Sequence, residues 1–163
     1  MTKRQPRVLK RKPDADDVVA SAKAVIRLVV NAPDLQISRA HKKLVISDML
    51  WKITEAPYGK HTTELRTAAA LRKSEKLQHE HVFPRAWLVE RIIALPDRVD
   101  EIVARHAIAC TVTEREAKQL NKVKELEGWA RYRHLGIRVM RLSTTGQIEE
   151  YDLEKAEVDT QFR

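Results

Sequence analysis

The scarcity of glycine is the feature that most limits what this chain can fold into. Only 4 of the 163 residues are glycine, whereas antiparallel sandwiches and barrels need glycine in many tight turns. Hydrophobic residues make up 43% of the chain and charged residues 33%, so the chain can bury a core and still expose a polar surface. We therefore expect a helix-dominated domain of the α+β class.

Apolar residues recur at helical spacing in two N-terminal segments, each of which is followed by a proline. The first begins at Pro13 and stops before Pro33, and the second begins near Ser38 and stops before Pro57. Both ends are expected because proline disfavours the helical conformation in the residue before it. The segment "TTELRTAAALRKSEK" predicts a third helix, since alanine and leucine are strong helix formers. We expect the three helices to form a bundle within residues 13–76.

The pattern changes after this bundle. The segment "LQHEHVF" alternates and predicts a short strand that ends at Pro84. Two helical segments, "AWLVERIIAL" and "PDRVDEIVARH", separate it from a second predicted strand at residues 107–112, "AIACTV". The next segment, "TEREAKQLNKVKELEG", predicts a helix that stops at Gly128. These elements make a strand–strand–helix unit of residues 77–128, and "GIRVMRL" with "QIEEYDL" then predicts a short C-terminal hairpin.

Charge is unevenly distributed along the chain, whose net charge is +8. A basic arm, residues 1–12, holds six Lys or Arg and no acid, whereas residues 147–163 form an acidic tail with six acids and two basic residues. Between them, residues 13–146 are expected to form one globular domain. Basic arms dock on phosphates and release counterions. The arm therefore predicts contact with nucleic acid, and a solubilising terminus is the alternative interpretation.

Cysteine content and hydropathy bear on the compartment. The single cysteine, Cys110, excludes an internal disulfide and a multi-cysteine zinc site, and it is typical of a reducing environment. No apolar run approaches the roughly 20 residues that a membrane span needs. The first residues lack the apolar segment of a signal peptide. We expect a cytoplasmic protein that does not associate with a membrane.

The motif "EHVFP" carries a resemblance to a known family. In it, the acid–histidine pair Glu80 and His81 is followed by Pro84. This motif resembles the first motif of the HNH, or ββα-metal, endonucleases, in which an acid–His or His–His pair ends the first strand and a proline follows. The family's second strand leads into a helix with a further metal ligand. Here "ACTVTEREAKQLN" has that form, and Asn121 falls at the ligand's place, so the resemblance covers residues 77 to about 126.

The resemblance implies metal-dependent hydrolysis of phosphodiesters. Glu80 would bind the metal and His81 would be the general base, since the pKa of an imidazole lies near the working pH. Asn121, or Glu116 one turn earlier, would complete the metal site, and His79 would orient a phosphate or the metal-bound water. The ion expected is Mg²⁺ or Mn²⁺, with Zn²⁺ as an alternative, because a cation held by a carboxylate neutralises charge that builds on the phosphate.

Several of these residues also have a structural interpretation. Thr113 and Glu116 have the spacing of a capping box, which would explain Glu116 without a metal. In "GWARYRHLGI", Trp129 and Tyr132 either stack on bases between arginines or pack into the core. The residues expected to contact nucleic acid are Arg85, Arg131, Tyr132, Arg133, His134, Lys10, Arg11 and Lys12.

These patterns give three functional hypotheses. The leading one is a metal-dependent HNH-type endonuclease that acts on nucleic acid, with DNA favoured over RNA. The alternative is a non-catalytic nucleic-acid-binding or regulatory protein on a degenerate nuclease fold. The third is a protein-interaction module that docks a protein partner through the basic arm and the acidic tail. A complete metal site would distinguish the first hypothesis from the second.

Overall fold

The computed structural model describes residues 8–32, 36–72, 75–123 and 125–160. These residues form an α+β fold dominated by helices, which confirms the predicted fold class. The α-helices are Ala15–Asn31 (α1), Arg39–Glu55 (α2), Ala68–Leu71 (α3), Arg85–Ala94 (α4), Val99–His106 (α5), Glu114–Leu120 (α6), Trp129–His134 (α7) and Leu153–Thr160 (α8). The strands are Leu65–Thr67 (β1), Leu77–His81 (β2), Ala109–Thr113 (β3), Val139–Leu142 (β4) and Ile148–Glu150 (β5).

The strands form one mixed sheet in the order β2-β3-β1-β4-β5. The central strand β1 is parallel to β3 and antiparallel to β4, so that Leu65 lies between Cys110 and Arg141. The longest pairing is the antiparallel one of β2 with β3, in which His79 lies opposite Thr111. The predicted strand–strand pair of the "LQHEHVF" and "AIACTV" segments is therefore present, although their connection contains α4 and α5.

Helices cover both faces of the sheet. On β2, His79 and His81 point towards α2, where both contact Thr54. The residue between them, Glu80, points towards the opposite face, where it contacts Arg131 of α7. This division follows from the alternation of side chains along a strand.

The core extends from the α1–α2 pair through the sheet to α7. Its aliphatic part comes mainly from α1, α2, α4, α5 and β3, including the fully buried side chains Ile26, Leu50, Ile92 and Val112. On the other side, α7 contributes the three largest fully buried side chains of the described residues, Trp129, Arg131 and Tyr132.

Several predicted element ends are confirmed. Helix α1 follows Pro13, and α2 ends just before Pro57. Ser38 begins α2 by accepting a hydrogen bond from the backbone N–H of His41. Thr113 and Glu116 form the predicted capping box at the start of α6. No helix within the described ranges is long and apolar enough to cross a bilayer.

The third helix predicted in "TTELRTAAALRKSEK" is wrong. The segment begins with strand β1, and only Ala68–Leu71 are helical. Leu65 and Thr67 are buried between β3 and β4, so strand pairing in the centre of the sheet outweighs the helix propensity of the neighbouring alanines. Strand β1 therefore lies within residues 13–76, the part that was expected to be helical.

One prediction about the C-terminal half is also corrected. The helix predicted to end at Gly128 ends at Leu120, and Gly128 instead precedes α7 with a φ of 56°. The described part of the acidic tail is folded, and its predicted role in docking a protein partner stays a prediction. Its strand β5 pairs with β4, and Thr160 at the end of α8 accepts a hydrogen bond through its carbonyl from His106.

We predict that Gly128→Ala destabilises the fold more than Gly136→Ala. A Cβ atom at position 128 would lie 2.5 Å from the Phe83 ring, whereas one at position 136 would have no atom within 4 Å. Both glycines have a positive φ, which strains an alanine, and at Gly128 the ψ of −135° lies outside the left-handed helical region as well. Overpacking should add about 1–3 kcal/mol at position 128 alone. Urea unfolding of both variants measures the difference, and equal losses would show that Phe83 does not require this glycine.

Candidate functional site

The HEH sequence lies on the edge strand β2, as predicted, but its three side chains do not form one site. His79 and His81 are buried against α2, with exposed fractions of 6% and 5%. Glu80 is partly buried on the other face of the sheet, beside Arg131. The predicted metal ligand and the predicted general base are therefore separated by the strand itself.

The two histidines share one hydroxyl group. The Nε2 atoms of His79 and His81 each lie 3.0 Å from Oγ1 of Thr54. Because this hydroxyl has a single hydrogen, at least one imidazole must carry its own proton on Nε2 and donate it. The other ring nitrogen of His79, Nδ1, is buried without a hydrogen-bond partner among the described residues.

Aromatic packing closes the histidine cluster, which consists of Trp51, Thr54, His79 and His81. The Trp51 ring lies 5.0 Å from the His79 ring and 5.2 Å from the His81 ring, measured between centroids. Arg85, a predicted nucleic-acid contact, is stacked over Trp51 at 4.8 Å. Its Nη1 atom also donates to Ser47. Arg85 therefore covers this cluster and is engaged with α2.

Burial keeps both histidines neutral. It lowers the pKa of His79 to about 4, and the charge of Arg85 adds to this effect. Burial lowers the pKa of His81 to about 3, with further lowering by His79 and Arg85. A base of such low pKa accepts protons poorly near neutral pH, and its Nε2 atom is already bonded to Thr54. This arrangement favours a structural role for His81.

Glu80 is held by a buried arginine. Nη1 of Arg131 lies 3.4 Å from Oε1 of Glu80, and Nη2 donates to the backbone carbonyls of His81, at 2.9 Å, and of Val82. Arg131 is only 1% exposed. Burial raises the pKa of Glu80, and the charge of Arg131 partly offsets that rise. The carboxylate thus serves as the counterion of a charge inside the protein.

The other predicted metal ligands do not join Glu80. Oε2 of Glu116 accepts hydrogen bonds from Thr67 Oγ1 at 2.7 Å and from the Thr113 backbone at 2.9 Å. Asn121 is exposed at the C-terminal end of α6. Among the residues that the structure describes, no group of three or more His, Cys, Asp or Glu side chains could hold a metal ion. These donors therefore do not fit the divalent cation that the resemblance implies.

Of the two interpretations of "GWARYRHLGI", packing of Trp129 and Tyr132 into the core is confirmed and the stacking platform is wrong. Trp129 and Tyr132 are 0% exposed, so neither ring can meet a base in this structure. Arg131 is also corrected as a nucleic-acid contact, because it is buried against β2. Arg133 is on the surface but pairs with Glu157 at 3.1 Å. His134 is exposed at the end of α7.

Only part of the basic arm lies within the described residues. Lys10 and Lys12 are exposed, and the Lys12 N–H donates to the carbonyl of Pro57 at 2.8 Å. Arg11 forms two hydrogen bonds to Asp16 at the start of α1. Residues 1–7 lie outside the described ranges, so the arm's predicted contact with nucleic acid stays a prediction.

A different surface brings cations together. Two adjoining clefts, of about 480 Å³ and about 570 Å³, lie between α3, the segment before β2 and α6. Glu75, Arg115 and Gln119 line both clefts. We call the surface formed by the six Lys and Arg of the two clefts the basic face. Its members are Arg72, Lys76, Arg115, Lys118, Lys122 and Arg138.

Four cations of the basic face have no ion pair with a described residue. Lys118 pairs with Glu114 and Arg138 with Glu150, whereas Arg72, Lys76, Arg115 and Lys122 are exposed and have no acidic partner within 4.0 Å in the described ranges. The sequence indicated this basic face only in part. An excess of basic residues from 115 onwards indicated a charged surface, but Arg72 and Lys76 join it only through the fold.

Comparison with known proteins adds no relative. No family model, curated protein or solved structure matches the chain. The resemblance to HNH endonucleases therefore stays a prediction from the "EHVFP" motif and the order of elements.

We predict that acid destabilises the protein through the histidine cluster. The pKa of each histidine is lowered by folding, from 6.5 to about 4 for His79 and to about 3 for His81. Their contribution to stability is therefore complete above about pH 6.5 and is lost as the pH falls towards the folded-state pKa. Between pH 7 and pH 5, the loss should be about 2 kcal/mol per histidine.

Urea unfolding at both pH values measures this loss in the wild type and in the double variant His79→Gln/His81→Gln. The double variant keeps His106, whose pKa is also lowered by burial, and should show a much smaller pH dependence. An equal pH dependence in both proteins would show that the histidine cluster does not cause it.

We also predict that Arg131→Met lowers the free energy of unfolding by about 3–5 kcal/mol, because it leaves Glu80 and two backbone carbonyls without their donor. The matched control is Arg133→Met on the same helix, whose surface ion pair should be worth less than about 1 kcal/mol. Chemical unfolding measures both losses. Similar losses would refute a special role for the buried pair.

Proposed function

We propose that the protein binds nucleic acid through the basic face without cleaving it. The observation that carries this proposal is the pair of adjoining clefts lined by six Lys and Arg, four of which have no ion pair with a described residue. Cations left without protein partners are available to phosphates. Each phosphate that they neutralise releases counterions, which drives binding that depends strongly on salt.

The spacing of the cations suits a phosphate backbone. Arg115 and Lys118 lie on α6, and Lys122 follows just after that helix. Residues three apart lie on the same side of a helix, so Arg115 and Lys118 share one side of α6, and Lys122 lines the same cleft as they do. Lys76, which precedes β2, lines the same cleft. Backbone contacts of this kind give affinity but carry little sequence information. We expect DNA to be the preferred partner.

We predict that the double variant Lys76→Gln/Lys122→Gln weakens binding and flattens its salt dependence. Both side chains are exposed, so the variant should fold normally. On duplex DNA, each lost phosphate contact should reduce the slope of log K against log salt by about 0.9. Fluorescence anisotropy with labelled DNA and RNA over a range of salt concentrations measures this slope.

The matched control is Arg39→Gln/Lys43→Gln, which removes the same charge from α2. Both residues pair with Glu90 of α4, and neither of them lines the two clefts. Its salt slope should equal that of the wild type. If both variants bind alike, the basic face is not the binding surface, and if the wild type binds neither DNA nor RNA, the proposed function is wrong.

The HNH-type endonuclease is the second candidate. The observation that favours it is the order of elements, since antiparallel β2 and β3 are followed by α6, whose Thr113–Glu116 cap lies at the end of β3. Against it stands the engagement of Glu80 with Arg131. We expect purified protein to leave DNA and RNA intact in Mg²⁺ or Mn²⁺. Cleavage that Glu80→Gln abolishes without loss of stability would support the nuclease and overturn the non-catalytic proposal.

A further inference from the structure

The cleft of about 480 Å³ differs from its neighbour in being walled on three sides. The first wall consists of Ala68 and Ala69 of α3 and of Arg72 just after that helix. The second wall comes from Thr113 and α6, and the third consists of residues 136–138. The small side chains keep the cleft wide, and a Cβ atom at Gly136 would meet no atom within 4 Å. Its volume lies in the range of about 300–1,000 Å³ that is typical of small-molecule sites.

Three guanidinium groups line this cleft. Arg72 and Arg115 have no ion pair with a described residue. Arg138 is oriented by Glu150, to which its Nε and Nη2 atoms each donate at 2.8 Å. These two bonds leave the Nη1 donors of Arg138 for another acceptor. Planar guanidinium groups suit phosphate oxygens particularly well.

Two carboxylates, Glu75 and Glu116, line the same cleft. Glu116 is held in place by Thr67 and Thr113, which donate to its Oε2 atom. Arg138 is already paired with Glu150, so the cleft offers the guanidinium groups of Arg72 and Arg115, which have no ion pair with a described residue, and the Nη1 donors of Arg138. A phosphate monoester has three terminal oxygens that can accept from these donors, one more than a phosphodiester, and it carries a charge of about −1.5 to −2 at neutral pH.

The second cleft supplies the approach. It shares Glu75, Arg115 and Gln119 with the first cleft and continues along Lys76, Lys118 and Lys122. A nucleic-acid strand that runs along these lysines would place its terminal group in the first cleft. We propose that the cleft lined by Arg72, Arg115 and Arg138 binds the terminal phosphate monoester of a nucleic-acid strand. This inference rests on the proposed function and adds that the protein recognises strand ends.

The test compares one single-stranded DNA oligonucleotide in three forms: 5′-phosphorylated, 3′-phosphorylated and unphosphorylated. One phosphorylated form should bind about tenfold more tightly than the unphosphorylated form, which is the size of effect that one charge-assisted contact gives. The variant Arg72→Gln/Arg115→Gln should lose this preference, while its affinity for the unphosphorylated form falls less. The variant Lys76→Gln/Lys122→Gln should bind all forms more weakly and keep the preference. Binding of thymidine monophosphate, compared with that of thymidine, tests the cleft with ligands too short to reach Lys76, Lys118 and Lys122.

The outcomes separate this inference from the proposed function. Equal binding of the three oligonucleotides by the wild type overturns the terminal-phosphate site and leaves nucleic-acid binding standing. A preference that survives in Arg72→Gln/Arg115→Gln also overturns it, because the preference then arises elsewhere. If no oligonucleotide binds but thymidine monophosphate binds and thymidine does not, the cleft binds a phosphate monoester that is not part of a strand, and both the strand-end inference and the proposed function are overturned. If nothing binds, both are overturned.

Discussion

The buried guanidinium of Arg131 is the interaction on which the arrangement of the sheet edge depends. A charge in the protein interior is stable only when its donors find partners. Arg131 meets this requirement with the backbone carbonyls of His81 and Val82 and with the carboxylate of Glu80. Helix α7 is thereby fastened to the end of β2. Because neighbouring side chains of a strand point to opposite faces, holding Glu80 on the α7 side places both histidines on the α2 side.

This division of the strand explains why the most conspicuous motif of the sequence is structural in our account. His79 and His81 join β2 to α2 through Thr54 and Trp51, while Glu80 compensates Arg131. Each member of the HEH sequence is engaged in packing or ion pairing. The surface that favours nucleic-acid binding lies instead between α3, β2 and α6, where Arg72, Lys76, Arg115 and Lys122 lack acidic partners among the described residues.

Prediction from the sequence succeeded where the determinants are local. Helices α1 and α2 were predicted from apolar spacing and prolines, and the capping box of Thr113 with Glu116 from its spacing. It failed for β1, a three-residue strand beside an alanine run, because pairing with β3 and β4 decides that conformation. It also failed for Tyr132 and Arg131. Alternating aromatic and basic residues have the same pattern on a surface and in a core with a buried ion pair, so only burial distinguishes them.

The sequence by itself determined the helix-dominated α+β class, most helix ends and the strand character of the HEH segment, because propensity, proline and side-chain periodicity act over a few residues. The tertiary structure decided which groups meet. Arg131 is 51 residues from Glu80 along the chain, and Thr54 is 25 residues from His79. The basic face likewise brings Arg72 together with Arg115, although strands β2 and β3 and two α-helices lie between them along the chain. Contacts between distant residues follow from the order of strands in the sheet, and that order depends on packing of the whole chain rather than on any local pattern.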